Sequence, residues 1–275
     1  MIVYRCGFAV EKTKYLLTYD DLNNSTTVYS VHEDAKSAND TIKESDFPLT
    51  RWSRKELEPL ENALHLVKGV LEGIKSRYAA DCTIFLSGTR NFRDSIASTK
   101  RYKGNRDQQQ KPTHFDGIRE YLVSSAGAIV TEDQEADDAI GIAMQPERGD
   151  VCVSLDKDLD QLPGRHYNWV DQVEYEVGKR EALLNFYAQV LSGDPTDNVP
   201  GLPGIGRVKA RRMLEGASTP LEAWKIVKQA YHDLDMSPEY LLEQARLVYI
   251  RRRPNEMWEF PKEEVPRTSK DEVRE

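Results

Sequence analysis

The chain has 275 residues, 39% of them hydrophobic and 31% charged, with a formal charge of −8 at pH 7. That is long enough for one large domain or two small ones, too apolar for wholesale disorder and too polar for a membrane protein. The acidic balance argues against a protein that coats nucleic acid by bulk attraction, but not against an enzyme whose carboxylates hold cations beside nucleic acid.

The opening run MIVYRCGFA is broken by Arg5 and offers no signal-peptide core; its residues 2–9 are expected to form the first core strand. Residues 15–19 and 26–31 are β-prone and flank the turn-rich DDLNNS, which predicts a hairpin. Leu60, Leu64, Val67, Leu71 and Ile74 recur at spacings of three and four, an amphipathic helix over residues 58–78. CTIFL (82–86) reads as a buried strand ending at Ser87-Gly88. Residues 89–112 are poor in apolar side chains and rich in cations, so a mobile, surface-exposed segment is expected there. Next come a helix at 115–122, a strand at 128–130, a helix at 132–144, a strand at 150–155, a short helical turn and a strand at 166–170. Such alternation predicts an α/β fold with a mostly parallel sheet flanked by helices over residues 1–177. Residues 178–260 then read as all-helical, with helices at 179–192, 205–215, 219–232 and 238–252, and 261–275 as a charged flexible tail. Cys6, Cys82 and Cys152 are widely separated and read as core thiols in a reducing cytoplasm.

Three acidic groups stand at or beyond predicted strand ends, where open α/β sheets gather ligands. In TEDQEADDAIG, Glu135 and Asp138 share a helical face at spacing three, with Asp137 about 100° away. In VSLDKDLDQL, Asp156 and Asp158 point the same way in extended chain, and Asp160 faces outward. Asp194 and Asp197 lie in the loop SGDPTDNVPG. Singly, each group also reads as helix capping or turn chemistry. Jointly they could converge on one cavity, and oxygen-only ligands select Mg²⁺ or Mn²⁺ over zinc. Two such ions suit phosphodiester hydrolysis. Arg93, Lys100, Arg101, Lys103, Arg106 and Lys111 interleave with Tyr102, a pattern suited to a flexible nucleic-acid strand and equally to a solvated face. Gly201, Gly204 and Gly206 precede a helix carrying Arg207, Lys209, Arg211 and Arg212, a duplex-backbone clamp rather than a dinucleotide or Walker loop.

Four motifs, RYKGNR (101–106), EADDAIG (135–141), SLDKDLDQL (154–162) and LSGDPTDNVPGLPGIGRVKA (191–210), resemble those of the 5′–3′ exonuclease and flap endonuclease family, in its stand-alone bacteriophage form. The resemblance covers residues 81–215 and implies a PIN-like nuclease domain, a helical arch near 89–112 and a helix–hairpin–helix at 194–215. It implies that Glu135, Asp137, Asp138, Asp156, Asp158 and Asp197 hold metal, directly or through water, with Asp194 as a further acid. Lys103 and Arg106 are similar to arch cations on the scissile phosphate, acting with Asp138, Asp156 and Asp158; Tyr102 is similar to an arch aromatic that stacks on a base. Arg5, Arg93, Gly204, Gly206, Arg207, Lys209 and Arg211 complete the implied DNA contacts, and the glycine turn resembles one that binds K⁺.

The implied activity is Mg²⁺- or Mn²⁺-dependent two-metal hydrolysis at 5′ ends or flaps of duplex DNA, extending to RNA primers in RNA–DNA hybrid. It is expected of a monomer in the cytoplasm with no membrane partner. Two family acids are not matched. One would precede Met1, for which a misassigned start codon is the preferred explanation; Ser87 stands at the other. A DNA-junction binding protein weakened by those losses is the runner-up, and a phosphatase-like hydrolase of small substrates the third reading.

Overall fold

A computed structural model of the chain describes residues 1–20, 26–106 and 110–261. In chain order the elements are α1 (Ile2–Ala9), β1 (Glu11–Asp20), β2 (Thr26–His32), α2 (Ala35–Glu44), β3 (Thr50–Leu57), α3 (Leu60–Tyr78), β4 (Phe85–Leu86), α4 (Phe92–Ile96), α5 (Phe115–Ser124), β5 (Ile129–Val130), α6 (Ala136–Ala143), β6 (Val151–Val153), β7 (Gly164–Asn168), β8 (Val173–Val177), α7 (Lys179–Ser192), α8 (Arg207–Leu214), α9 (Pro220–His232) and α10 (Pro238–Val248). Short 3-10 turns at Gly104–Arg106, Lys157–Gln161 and Pro195–Asp197 matter to the site. The chain divides into two compact units, Met1–Ile84 with Gln110–Ala128, and Phe85–Gln109 with Ile129–Glu275. The expected boundary at 177/178 falls inside the second.

In the first unit, residues 2–9 form a helix, not the expected strand. Val3, Cys6, Gly7 and Val10 are the buried positions, a helical rather than alternating spacing, and α1 lies against α3 and α5. The expected hairpin is present: β1 pairs antiparallel with β2, and β3 adds on the other side of β1. Strand β3 escapes sequence reading because its residues are exposed nearly throughout, leaving no apolar alternation. The α3 helix matches expectation and buries Ala63, Val67 and Ile74.

The second unit carries the candidate site. Instead of one mostly parallel sheet it holds a parallel pair, β4–β5, and a three-stranded sheet β6-β7-β8 whose last pairing is antiparallel. The four helices expected after residue 178 are all present. Helix α7 is buried around its circumference (Leu184, Phe186, Tyr187, Val190, Leu191) and packs with Leu214, Trp224, Tyr231 and Leu241 of α8, α9 and α10 into one core. An all-round apolar helix belongs at the centre of a unit, which is where α7 sits. Residues 89–106 lie largely at the surface as expected, but Arg93 and Tyr102 within them are buried, at 2% and 5% exposed. Residues 107–109 and 262–275, the latter nearly all of the expected tail, lie outside the described residues.

The loop after α7 turns back on itself. Asp194 and Val199 exchange backbone hydrogen bonds, N to O at 2.8 and 2.9 Å, and this brings Gly193 and Gly201 into backbone contact. A Cβ on Gly201 would lie 2.1 Å from Gly193 N, at φ +61°; one on Gly204, at φ +72°, would meet nothing. Gly201→Ala is therefore expected to cost several times what Gly204→Ala costs in urea unfolding, the latter bearing only left-handed strain of about 1 kcal/mol. Equal losses would show that the close approach is not tight.

Candidate metal and nucleic-acid site

The site grows from the ends of short elements in the second unit. Glu135 caps α6, Asp137 lies in its first turn, Asp156 caps the 3-10 turn after β6, and Asp194 caps the turn Pro195–Asp197. Glu135, Asp137, Asp158, Asp194 and Asp197 line one small cavity together with Tyr102 and Gln189. Asp156 is near enough to act electrostatically on both Asp137 and Asp158. Burial, then Asp156 and Glu135, push Asp137 up to about 7; burial, then Asp156 and Asp194, push Asp158 up to about 7. Six carboxylates of this region thus face Lys103, Arg106 and Arg207, while Arg93, which also lines the cavity, is paired with Asp138.

Those cations point inward. Lys103 pairs with Glu135 and reaches Asp197 at 3.6 Å, Arg106 pairs with Asp197, and Arg207 lies 3.2 Å from Asp158. The 101–106 segment is zipped to the 194–198 loop: Lys103 N donates to Asp197 O at 2.9 Å, Asn105 Nδ2 to Pro195 O at 2.7 Å, Arg106 Nε to Thr196 O at 3.1 Å, and Asn198 Nδ2 to Arg101 O at 2.9 Å. Among the described residues no three His, Cys, Asp or Glu side chains are grouped to hold a metal ion as they stand. Oxygens of Glu135, Asp156, Asp158, Asp194 and Asp197 are engaged with the protein's own cations and amides.

Three sequence expectations are corrected. Asp138 does not share the cavity with Glu135. Glu135 is the cap, with extended backbone (φ −87°, ψ 164°), so helical spacing does not run through it, and Asp137 takes the cavity face. Asp138 is fully buried and its two oxygens accept from Arg93 Nη1 (2.6 Å), Arg93 Nη2 (2.9 Å), Arg251 N (3.0 Å) and Glu135 N (3.1 Å), which leaves it neither metal ligand nor catalytic acid here. Arg93, in turn, is a buried counterion rather than a DNA contact; it also donates to Leu247 O and Tyr249 O at 2.9 and 2.6 Å. Tyr102 is not an exposed stacking ring: it belongs to the buried core, and its hydroxyl donates to Asp197 Oδ2 at 2.7 Å and Glu135 Oε2 at 3.3 Å. Burial, with Glu135 and Asp197 adding to it, holds that phenol well above the ordinary tyrosine range and so protonated.

Asp160 turns away from the cavity, as expected, accepting from Tyr175 Oη at 2.7 Å. Ser87, at the end of β4, accepts from Ala136 N at 3.0 Å and so sits at the start of α6. Arg211 is half-buried against Asn185 (2.9 Å) and Glu181, whereas Lys209 and Arg212 are exposed with Gly204 and Gly206. Arg5 is exposed on α1 in the first unit. Sequence reading missed Asn91, whose Nδ2 holds Glu135 Oε1 at 2.7 Å, and a buried relay in which Gln161 donates to Gln189 and Gln189 to Asp158. Asn91 was legible as a cap before FRDSI. A glutamine inside an apolar helix carries no such signal.

The fold and site define an α/β protein with a carboxylate-rich cavity bordered by basic segments. No family profile matches the chain. It is 30% identical over 209 residues to DNA polymerase I of Pseudomonas aeruginosa, covering 66% of this chain and 21% of that one. It is 31% identical to DNA polymerase I of Rhizobium leguminosarum over 208 residues, 70% of this chain and 18% of that one. The chain thus spans about a fifth of the length of these relatives. Its fold is similar to a solved T5 5′-exonuclease with bound divalent metal ions (zinc), at TM-score 0.50 and 20% identity over 66% of this chain and 78% of that one. About two thirds of the chain is thus similar in sequence to part of DNA polymerase I, and its fold is similar to that of the T5 5′-exonuclease. No described helix is long and apolar enough to cross a membrane.

Proposed function

We propose that the protein is a divalent-metal-dependent 5′ nuclease that hydrolyses phosphodiesters at 5′ ends or flaps of duplex DNA, RNA primers in hybrid included. One observation carries the reading: six carboxylates from three elements crowd one cavity rim, and Lys103, Arg106 and Arg207 pair with only Glu135, Asp197 and Asp158 of them. The donor set is all oxygen, which fits Mg²⁺ or Mn²⁺, and beside burial the upward push on Asp137 and Asp158 includes repulsion from Asp156 that a divalent cation would relieve. Glu135, Asp137, Asp156, Asp158 and Asp197 would hold such ions, two or more, with Asp194 behind them. Bound there, they would supply a Lewis acid and an activated water. Lys103 and Arg106 lie at the same rim, placed to pair with a scissile phosphate where charge builds. The K⁺ suggested for the glycine turn fits less well: Gly201 O, Leu202 O and Gly204 O already accept from Tyr240, Ile205 and Lys209, so no step is routed through it.

The division into nuclease domain and helix–hairpin–helix clamp is part of this reading, as are a monomeric state and a cytoplasmic setting. Duplex contact is assigned to the exposed Gly204–Gly206 turn with Lys209 and Arg212. Lys209→Ala with Arg212→Ala should flatten the log–log salt slope of duplex binding by about one to two. Arg211→Ala should instead loosen α7 against α8 and lower the melting temperature, since its partners are Glu181 and Asn185. An unchanged slope would remove α8 from the interface.

The reading is tested with 5′-labelled flap and duplex substrates in Mg²⁺ and in EDTA. Short 5′ products only with Mg²⁺ are expected. Tight binding without cleavage would favour a junction-binding protein; hydrolysis of small phosphodiesters without DNA preference would favour the phosphatase-like reading.

A further inference from the structure

Glu135 and Asp197 come from elements 62 positions apart, the cap of α6 and the 3-10 turn Pro195–Asp197, and nothing in either element fixes the distance between their carboxylates. Two groups span them. One is Lys103 Nζ, on Glu135 and 3.6 Å from Asp197. The other is Tyr102 Oη, 2.7 Å from Asp197 Oδ2 and 3.3 Å from Glu135 Oε2.

These two bridges behave differently toward an incoming cation. The ammonium of Lys103 is a like charge on a half-exposed flexible stem, so a divalent ion would repel it from the pair. The phenol is neutral, and it sits on a ring that is 5% exposed in the core built around α7. It can keep its bond to a carboxylate while that carboxylate's other oxygen turns to a metal.

The segment bearing the ring is anchored at both sides. Before it, Glu243 of α10 accepts from Ser98 N (2.7 Å), Ser98 Oγ (2.9 Å), Thr99 N (2.7 Å) and Thr99 Oγ1 (2.6 Å). After it, Lys103 N is bonded to Asp197 O at 2.9 Å. Four bonds from one glutamate and a backbone tie to the very residue being positioned leave the ring little freedom. We therefore propose that Tyr102 is a positioning residue: its hydroxyl bridges Glu135 and Asp197 and limits how far the two carboxylates can separate when a divalent cation draws on them. A hydrogen-bond partner behind a ligand typically changes metal affinity about 10- to 100-fold.

This proposal rests on the metal-dependent reading above, and its test separates the two. Mn²⁺ binding to the full chain is measured by calorimetry and by the Mn²⁺ spin-resonance signal, without DNA, for the native protein, Tyr102→Phe and Tyr102→Leu. Tyr102→Phe keeps the ring and the core packing and loses only the hydroxyl. It should bind Mn²⁺ about tenfold more weakly, with duplex affinity in EDTA unchanged and cleavage recovering at high Mn²⁺. Tyr102→Leu should show the same loss of Mn²⁺ affinity and a lower melting temperature. If Tyr102→Phe binds Mn²⁺ within twofold of the native protein, the proposal fails while the metal reading stands. If Tyr102→Phe behaves as native and Tyr102→Leu loses DNA affinity without loss of melting temperature, the ring stacks on a base and the proposal is wrong. No Mn²⁺ binding by the native chain would overturn both.

Discussion

Asp156→Asn should lower hydrolysis of a 5′ flap by roughly 10²–10³-fold while leaving stability nearly intact. Asp156 Oδ1 accepts from Asp158 N at 3.0 Å and so caps the 3-10 turn, and asparagine caps as well as aspartate. The substitution therefore keeps the local structure and deletes one charge from the rim. Asp158→Asn should act alike: its side-chain oxygen can still accept from Gln189 Nε2, so the geometry survives and the charge does not. Both variants should bind duplex DNA as tightly as the native protein or more tightly, because a negative group near phosphate has gone. Native turnover by Asp156→Asn, with unchanged urea unfolding, would mean that the residue is a cap and nothing more.

How far the sequence was readable follows from which interactions are local. The hairpin of β1 and β2, helix α3 and the four C-terminal helices all carry their period within ten or twenty residues, and each lies where expected. Helix α1 differs from the expected strand because a short apolar run does not separate strand from helix; only the tertiary burial of Val3, Cys6 and Val10 decides. The mostly parallel sheet was inferred from alternation of elements. Alternation does not count hydrogen bonds, and the strands β4, β5 and β6 are two or three residues long.

In the site, the carboxylates were legible as residue types at loop ends, and Glu135, Asp137, Asp158, Asp194 and Asp197 do line one cavity. What was not legible is the polar pairing inside the unit. Arg93, Tyr102 and Asp138 are a cation, an aromatic and an acid within charged stretches, and such residues read as surface. Their burial depends on partners 45 to 156 positions away: Arg93 to Asp138, Tyr102 to Asp197, and Arg93 to the carbonyl of Tyr249. Sequence pattern carries no trace of contacts at that range.

That same pairing gives the largest expected effect on stability. Arg93 and Asp138 form a two-pronged ion pair in which the side chains are 3% and 0% exposed. Burial alone would push Asp138 up; the Arg93 guanidinium and the backbone N–H groups of Arg251 and Glu135 hold it below the usual carboxylate range. Burial likewise opposes the charge on Arg93, and the bonds to Asp138 more than offset it. Arg93→Ala leaves a buried carboxylate with two backbone donors and without its two-pronged guanidinium partner, a loss of about 3–5 kcal/mol. Most single domains hold only about 5–15 kcal/mol in total.

The pH dependence gives a second readout. A carboxyl depressed in the folded state contributes stability above its unfolded pKa, about 3.9 for aspartate, and loses it as pH falls through the lower folded value. In Arg93→Ala the depression is gone and burial raises Asp138 instead, so protonation relieves the variant. The stability gap between native and variant should therefore be widest near neutral pH and narrow on acidification. Arg93→Met with Asp138→Asn removes both charges and should recover much of the loss, since the uncompensated charge carries most of the penalty. Were Arg93 instead a DNA contact, Arg93→Ala would keep its urea midpoint and weaken duplex binding with a flatter salt slope.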